Sequence, residues 1–272
     1  MMEPIAKANA FQRLHHGPRI LEIANAWDAA SARVFEQAGM RAIGTGSAGI
    51  AFSHGYPDNE RIPRDMILAA TREIVRAVDV PVTADILTGL GGTTEAVVAT
   101  VMEVIALGAV GVNIEDGVGA PELLCRKIEA VRAAAERAGV KLFINARCDV
   151  YLRKLAEGEA ALAETLKRGK LYRDAGADGL FVPFATDAAV MSAVIAEVKL
   201  PFNAIARKGL PPFAELRALG VRRLSAGTGI SRAAFEATRA AAAQFLADGD
   251  SDALVARGGA PSDLNALFKD KS

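Results

Sequence analysis

Eight times along the chain a short apolar run is followed by a longer segment of helical period, and the order never breaks. The runs at 81–85, 110–115 and 141–147 have strand length. The segments behind them, 94–107, 121–137 and 159–175, repeat apolar residues three and four apart. The remaining runs lie at 19–24, 41–45, 179–183, 202–205 and 223–226, with helices predicted over 29–37, 64–78, 187–198, 212–219 and 231–245. Strict strand–helix alternation needs crossover connections, and these produce a parallel sheet. Eight such units in 272 residues fit a sheet closed into a (β/α)8 barrel. An open doubly wound sheet is the competing architecture, but no Gly-x-Gly-x-x-Gly follows the first strand. Glycines at 39, 108, 139, 176 and 220 stand where helices must end, supplying left-handed residues before the next strand. Residues 1–247 read as one barrel domain. The polar tail 248–272, with a short helix near Leu264–Phe268, is expected to dock on a neighbouring subunit or fray.

Composition removes several function classes. Lys plus Arg and Asp plus Glu both number 32, so the chain lacks the basic footprint of a nucleic-acid binder. Two cysteines and three histidines are too few for a disulfide scaffold or a Cys/His zinc site. Cys125 and Cys148 read as reduced thiols of a cytoplasmic protein. No apolar run approaches the ~18 residues that span a bilayer, and Met1–His16 has no targeting pattern. No membrane partner is therefore expected.

Catalytic residues of a (β/α)8 barrel sit at the strand C-terminal ends and in the loops that follow. Polar residues gather there: Asn25 and Asp28; Thr45, Gly46 and Ser47; Asp85; Glu115 and Asp116; Asn145, Arg147 and Asp149; Asn203. The strand beginnings show almost nothing comparable. Asp85 and Glu115 end successive strands, where two carboxylates can share one hard cation whose shell water and substrate complete, a donor set that suits Mg²⁺. Helix capping is the alternative: capping or a salt bridge fits Asp116 as well as function does, while capping fits Asp85 poorly because the next helix starts near Thr94. Arg147 shares a strand face with Asn145. Its guanidinium in a barrel mouth suits a carboxylate or phosphate, or an ion pair with Asp85, Glu115 or Asp149. The Gly44–Gly49 loop is an anion nest or a plain tight turn. His54 reads as an exposed loop residue, and Cys125 and Cys148 as packing residues.

With these residues in view, the chain resembles the isocitrate lyase/phosphoenolpyruvate mutase superfamily. The matching strings are Asn25–Arg33, Ala42–Ala51, Gly55-Tyr-Pro-Asp58, Pro81-Val-Thr-Ala-Asp85, Gly111-Val-Asn-Ile-Glu-Asp116, Phe143-Ile-Asn-Ala-Arg147 and Gly176–Pro183, in the family's order across roughly residues 10–245. The resemblance implies a Mg²⁺-dependent enzyme, with Mn²⁺ able to substitute, that breaks or makes C–C or C–P bonds of 2-oxo or 2-hydroxy acids beside an enolate. It implies that Asp85 is the direct metal ligand and that Glu115 and Asp58 hold metal-bound waters. Gly46 and Ser47 would bind the substrate carboxylate, Arg147 would clamp it, Trp27 would wall the pocket and Asn203 would line it. It also implies a homo-oligomer, dimer or tetramer, and a small carboxylate as the molecule bound. The chemistry agrees: Mg²⁺ chelated by a 2-oxo acid stabilises the developing enolate, and Asp58 is placed to move a proton or orient a water.

Three departures narrow the reading. Residues 117–125 contain no Lys-x-Cys-Gly-His segment, which points away from isocitrate and methylisocitrate lyase chemistry. The same stretch is short and Lys127 falls in a predicted helix, which points away from phosphonate chemistry. Leu87 and Leu90 stand where the family usually has a second carboxylate and a tyrosine. The expected activity is cleavage of a C–C bond in an oxaloacetate-like 2-oxo acid by a lyase, decarboxylase or hydrolase. The alternatives are phosphonomutase-type C–P chemistry and a degenerate barrel that binds a 2-oxo acid without turnover.

Overall fold

The structure, a computed structural model, describes residues 4–58, 61–258 and 265–268. Eight parallel strands close in chain order: β1 (Leu21–Ala26), β2 (Ile43–Thr45), β3 (Val82–Asp85), β4 (Gly111–Glu115), β5 (Phe143–Arg147), β6 (Gly179–Phe181), β7 (Phe202–Ile205) and β8 (Arg223–Ser225). β8 pairs back onto β1, with Leu21 opposite Arg223, so no edge is left. Helix α1 (Pro4–His16) precedes the barrel, and α2 (Ala29–Gln37) follows β1. Two helices, α3 (Ser47–Ser53) and α4 (Arg64–Ala77), lie between β2 and β3. Then come α5 (Thr94–Ala106), α6 (Pro121–Arg137), α7 (Gly158–Asp174), α8 (Ala188–Val198), α9 (Phe213–Leu219), α10 (Gly229–Asp248) and α11 (Ser251–Arg257), with a 3₁₀ turn at Ala266–Phe268. The (β/α)8 barrel expected from the alternation is the architecture observed.

The differences are local and have physical causes. The expected Gly44–Gly49 loop is not a loop. Gly44 and Thr45 finish β2, Gly46 is the N-cap, and α3 begins at Ser47. The helix forms because Ile50 and Ala51 can be buried against Ile62 and Ile67. β1 starts two residues later than its apolar run, because pairing with β8 begins at Leu21. β6 stops at Phe181, before Pro183, which has no N–H to offer a ladder. α11 was not expected. Of the predicted Leu264–Phe268 helix, Leu264 lies outside the described residues, and Ala266–Phe268 packs on the chain's own α2, where Arg33 Nε donates to the Leu267 carbonyl at 2.7 Å.

Alternation along each strand divides the residues between two environments. Val112, Ile114, Ile144, Ala146, Leu180 and Ala204 face outward into a core shared with the surrounding helices. Leu21, Ile23 and Phe143 join Ala8 and Phe11 of α1 in a separate cluster that plugs the N-terminal end of the barrel. The rings of Phe11, His15 and Phe143 pack together, His15 stacked on Phe143 and Phe11 edge-on to both, with centroids 3.9–5.4 Å apart. Gly111 makes room for this plug, since a Cβ there would lie 2.9 Å from Phe11 Cε1.

His15 is buried in the plug, and its Nδ1 donates to the Phe11 carbonyl at 2.9 Å. Burial, reinforced by the Arg223 charge, lowers its pKa to about 3. The unfolded chain takes up this proton below about pH 6.5 and the folded chain does not, so His15 stabilises the fold above that pH and loses the contribution as pH falls toward 3. Urea unfolding between pH 7 and pH 5 should show stability falling more steeply in the wild type than in His15→Gln; parallel curves would refute this account.

Candidate active site

The strand C-terminal ends open into a cleft of about 700 Å³. β3 and β4 deliver Asp85 and Glu115, β5 delivers Arg147, and the β2–α3 junction delivers Gly46 and Ser47. Asp58 lines the rim from the segment after α3. These six predicted site residues therefore share one cleft. Trp27 and Asn203 are not among the residues lining it. Trp27 faces away, its ring packed against Phe35 and Phe235 at 6.1 and 6.2 Å. Asn203 is buried within the barrel below the cleft, donating to Ser225 Oγ at 3.1 Å.

Ser47 Oγ donates to Asp85 Oδ2 at 2.7 Å, fixing that carboxylate from the start of α3. Arg147 fulfils one alternative left open by its sequence position, the ion pair. Its Nε and Nη2 reach both oxygens of Asp149 at 2.6 and 3.2 Å, and its Nη1 lies 2.5 Å from Glu115 Oε2. Two of the five guanidinium N–H groups hydrogen-bond Asp149 and a third, on Nη1, lies beside Glu115, which leaves two. The Glu115 contact is close but misaligned, and Oε2 is buried without a hydrogen-bond donor. Burial pushes the Glu115 carboxyl up to about 8, with Asp85 and Asp149 adding to the rise and Arg147 opposing it. Asp58 is also raised, by burial and then by the charge on Asp85.

Asp116, for which capping or a salt bridge stood level with function, takes the salt bridge, to Arg168, and serves neither the cleft nor a helix start. It accepts from Arg168 Nη1 at 2.8 Å, Tyr172 Oη at 2.5 Å and the Asp149 backbone N–H at 2.8 Å. This network ties α7 to the end of β5 and so holds Asp149 beneath Arg147. Cys148 is buried in the core, its thiol pushed up to about 12 by burial, and Cys125 packs from α6. Several cleft residues were missed in the sequence: Asn113, Leu152, Arg153 and Phe184. Phe184 carries Arg207 over its ring at 3.4 Å. Only Asn113 had a readable signal, its alternation with Glu115 on one strand.

The donor set fits a hard divalent cation. Asp85 and Glu115 offer carboxylate oxygens from adjacent strands, and the buried Glu115 Oε2, though ion-paired with Arg147, accepts no hydrogen bond. No group of three or more His, Cys, Asp or Glu side chains assembles as a metal cluster among the described residues. A sparse pair completed by water and substrate is the ligation Mg²⁺ prefers.

Fold and site together define a (β/α)8 barrel of the enzyme type, with acids and an arginine converging at the strand C-terminal ends. Residues 11–246 match the phosphoenolpyruvate phosphomutase family model, and the chain belongs to that family within the isocitrate lyase/phosphoenolpyruvate mutase superfamily. It is 34% identical over 243 residues to the uncharacterized protein Rv1998c of Mycobacterium tuberculosis (strain H37Rv), covering 89% of this chain and 90% of that one. It is 31% identical over 228 residues to 2-methylisocitrate lyase of Salmonella typhimurium (strain LT2), covering 79% and 77%. Among solved structures it is similar to phosphonopyruvate hydrolase in complex with oxalate and Mg²⁺, with a TM-score of 0.85, 26% identity and coverage of 97% and 95%.

The assignment of Asp116 to the scaffold has a measurable consequence. Arg168→Met strands a buried carboxylate and should cost about 3 kcal/mol in urea unfolding. Ligand affinity of the folded protein should stay within about threefold of wild type, since Arg168 does not line the cleft and the Asp149 N–H keeps its bond to Asp116; unchanged stability would refute the assignment.

Proposed function

We propose that this chain is a Mg²⁺-dependent enzyme that cleaves a C–C bond of a small, oxaloacetate-like 2-oxo or 2-hydroxy carboxylate through an enolate. The observation that carries the reading is the convergence of Asp85, the donor-poor Glu115 and Arg147 on one cleft. Bound there, the cation would supply Lewis-acid stabilisation of the enolate charge. The two N–H groups that Arg147 keeps free suit a substrate carboxylate, and Asp149 and Glu115 hold the fork in place. Ser47 orients Asp85. Asp58, with its carboxyl pushed upward, is the group best placed to hold and move a proton at the rim.

Two features favour C–C over C–P chemistry. Only residues 116–120 join β4 to α6, and Lys127 lies on α6 with its Nζ donating to the Thr88 carbonyl at 2.7 Å. A long gating loop carrying a lysine therefore has no counterpart between these elements. Cys125, half-buried on α6 and packed against the core, is likewise no counterpart of the lyases' acid/base cysteine. The reduced thiols also support a cytoplasmic setting; among the described residues no helix is long and apolar enough to cross a membrane.

The test is thermal unfolding with oxalate, an enolate mimic, with and without Mg²⁺. At 100 times the dissociation constant the ligand adds about 2.7 kcal/mol, which raises Tm by about 5 °C or more. The shift should need both components and vanish in Asp85→Ala, and turnover of oxaloacetate should follow the same pattern. A shift without turnover of any 2-oxo acid would favour the degenerate barrel, for which Leu87 in the cleft wall is the motivating observation.

A homo-oligomer is proposed on separate grounds. α10 buries only Ser231 among its twenty residues and leaves Phe245 and Leu246 49% and 88% exposed, while Val255 on α11 is 73% exposed. A second copy of the chain covering this face would remove the apolar surface from water. Light scattering should report a dimer or tetramer that Leu246→Asp weakens; a wild-type monomer would end the proposal.

A further inference from the structure

Inside the barrel, between the aromatic plug and the cleft, lies a layer of side-chain amides with an arginine beneath it. Arg223 enters from the start of β8 and is 1% exposed. Its Nη2 donates to Asn113 Oδ1 at 3.3 Å, while its Nε and Nη1 have no hydrogen-bond partner. No carboxylate pairs with this buried cation among the described residues; the nearest acidic influence on it comes from Asp85 above. The strand beginnings looked empty of polar chemistry in the sequence, and Arg223 is the exception.

The hydrogen bonds fix which way each amide points. Asn145 Nδ2 uses one hydrogen on Asn113 Oδ1 at 2.9 Å and the other on Asn203 Oδ1 at 3.0 Å. Asn203 Nδ2 turns to Ser225 Oγ and the Ala204 carbonyl. Asn113 Oδ1 therefore accepts twice, from Asn145 and from Arg223. An amide with its oxygen committed downward must present its NH₂ on the opposite side. On that side is the cleft, which Asn113 lines. Its Nδ2 makes no hydrogen bond among the described residues and is not one of the fully buried unpartnered atoms. The donor is open to whatever the cleft holds, two residues along the strand from Glu115 and across the β4–β5 ladder from Asn145.

We propose that Asn113 is a substrate-binding residue, donating its amide N–H to an anionic oxygen of the bound 2-oxo acid, and that Arg223 is the positioning residue that holds the amide in the donating orientation. The ligand class is set by the geometry: an N–H donor at the floor, backed by a buried cation, recognises a carboxylate or enolate oxygen. The identity of the ligand rests on the function proposed above. The orientation of the amide does not, and the experiment separates the two.

Two measurements decide the matter. In the first, oxalate affinity is determined calorimetrically with Mg²⁺ present. Asn113→Asp is isosteric and keeps an acceptor for Arg223, but it replaces the donor with an oxygen. It should fold with a Tm at or above wild type and lose at least about tenfold in affinity. Arg223→Met removes one of the two bonds that hold Asn113 Oδ1, leaving only that from Asn145, and should lose about threefold or more without lowering Tm, and Arg223→Lys should restore part of the loss. The double variant Asn113→Asp/Arg223→Met should lose no more than the first alone, because both act through one hydrogen bond. Wild-type affinity in Asn113→Asp would overturn the binding role, and wild-type affinity in Arg223→Met would overturn the positioning role.

The second measurement needs no ligand. Side-chain amide hydrogen exchange, followed by NMR and assigned by the Asn113→Asp deletion, should show Asn113 Nδ2 exchanging freely and Asn145 Nδ2 protected. Equal protection of the two would overturn the proposal whether or not oxalate binds. Fast exchange at Asn113 in a protein that ignores oxalate would uphold the orientation and place the failure on the 2-oxo acid reading.

Discussion

The guanidinium of Arg147, gripped by Asp149 and Glu115, is the contact on which the rest of the cleft depends. It opposes the rise that burial imposes on both carboxyls, and it spans the ends of β4 and β5 in register, since Glu115 pairs with Arg147 in the ladder. Charge in the cleft remains unbalanced even so. Asp58, Asp85, Glu115 and Asp149 face Arg147 and Arg153, four acids against two bases. Arg223, deeper in the barrel, brings the bases to three. A dicarboxylate entering this mouth would add negative charge to an acidic site, and that cost is removed if a divalent cation enters with it. The carboxyls of Asp58 and Glu115 are raised first by burial, and the Asp85 charge adds to the rise of both.

The scaffold separates tasks along the barrel axis. Its N-terminal end is closed by apolar and aromatic packing, where α1 inserts Phe11 against Phe143. Its middle is a belt of amides tied together through Asn145, with the Asn113 NH₂ left open to the cleft. Its C-terminal end holds the charges. Such an order stabilises the site because each layer is rigid for a different reason, the first through packing and the second through satisfied hydrogen bonds in low dielectric. Asp116 extends the logic sideways. With Arg168 and Tyr172 it anchors the backbone of Asp149 from outside the barrel, and this in turn orients Arg147.

How much of this was legible depended on whether the information is local. Alternating periodicity fixes strands and helices residue by residue, so the barrel and the position of Asp85, Glu115 and Arg147 at strand ends could be read directly. α3 could not, because Gly44–Gly49 has the composition of a turn and becomes a helix only when Ile50 finds Ile62 and Ile67. Trp27 follows a strand whose end reaches the mouth, yet its ring is claimed by Phe35 and Phe235 on the outside. Asn203 alternates correctly into the barrel but sits one layer too low to meet the cleft. Arg223 was the hardest to see: it is one charge in a basic stretch, and its meaning comes from Asn113, 110 residues earlier.

Leu87 shows how a site can lose a side chain and keep its frame. It lines the cleft at a backbone φ of 54°, a left-handed conformation that carries a steric cost for leucine, and Leu90 repeats it. Such strain persists only where surrounding contacts demand that path of the chain. Here the demand comes from the backbone: the Leu87 carbonyl accepts from the Glu115 N–H at 2.9 Å, and the Ile86 N–H donates to the Asn113 carbonyl at 3.1 Å. The loop thereby extends the β3–β4 ladder past the end of β3 and fixes Asp85 relative to Glu115. A side chain at position 87 can change from carboxylate to isobutyl without disturbing that spacing, because main-chain atoms set it. The consequence falls on the cleft wall, which is apolar at this point. The side chain at position 87 thus shapes the cleft wall, while the spacing of Asp85 and Glu115 stays where the barrel puts it.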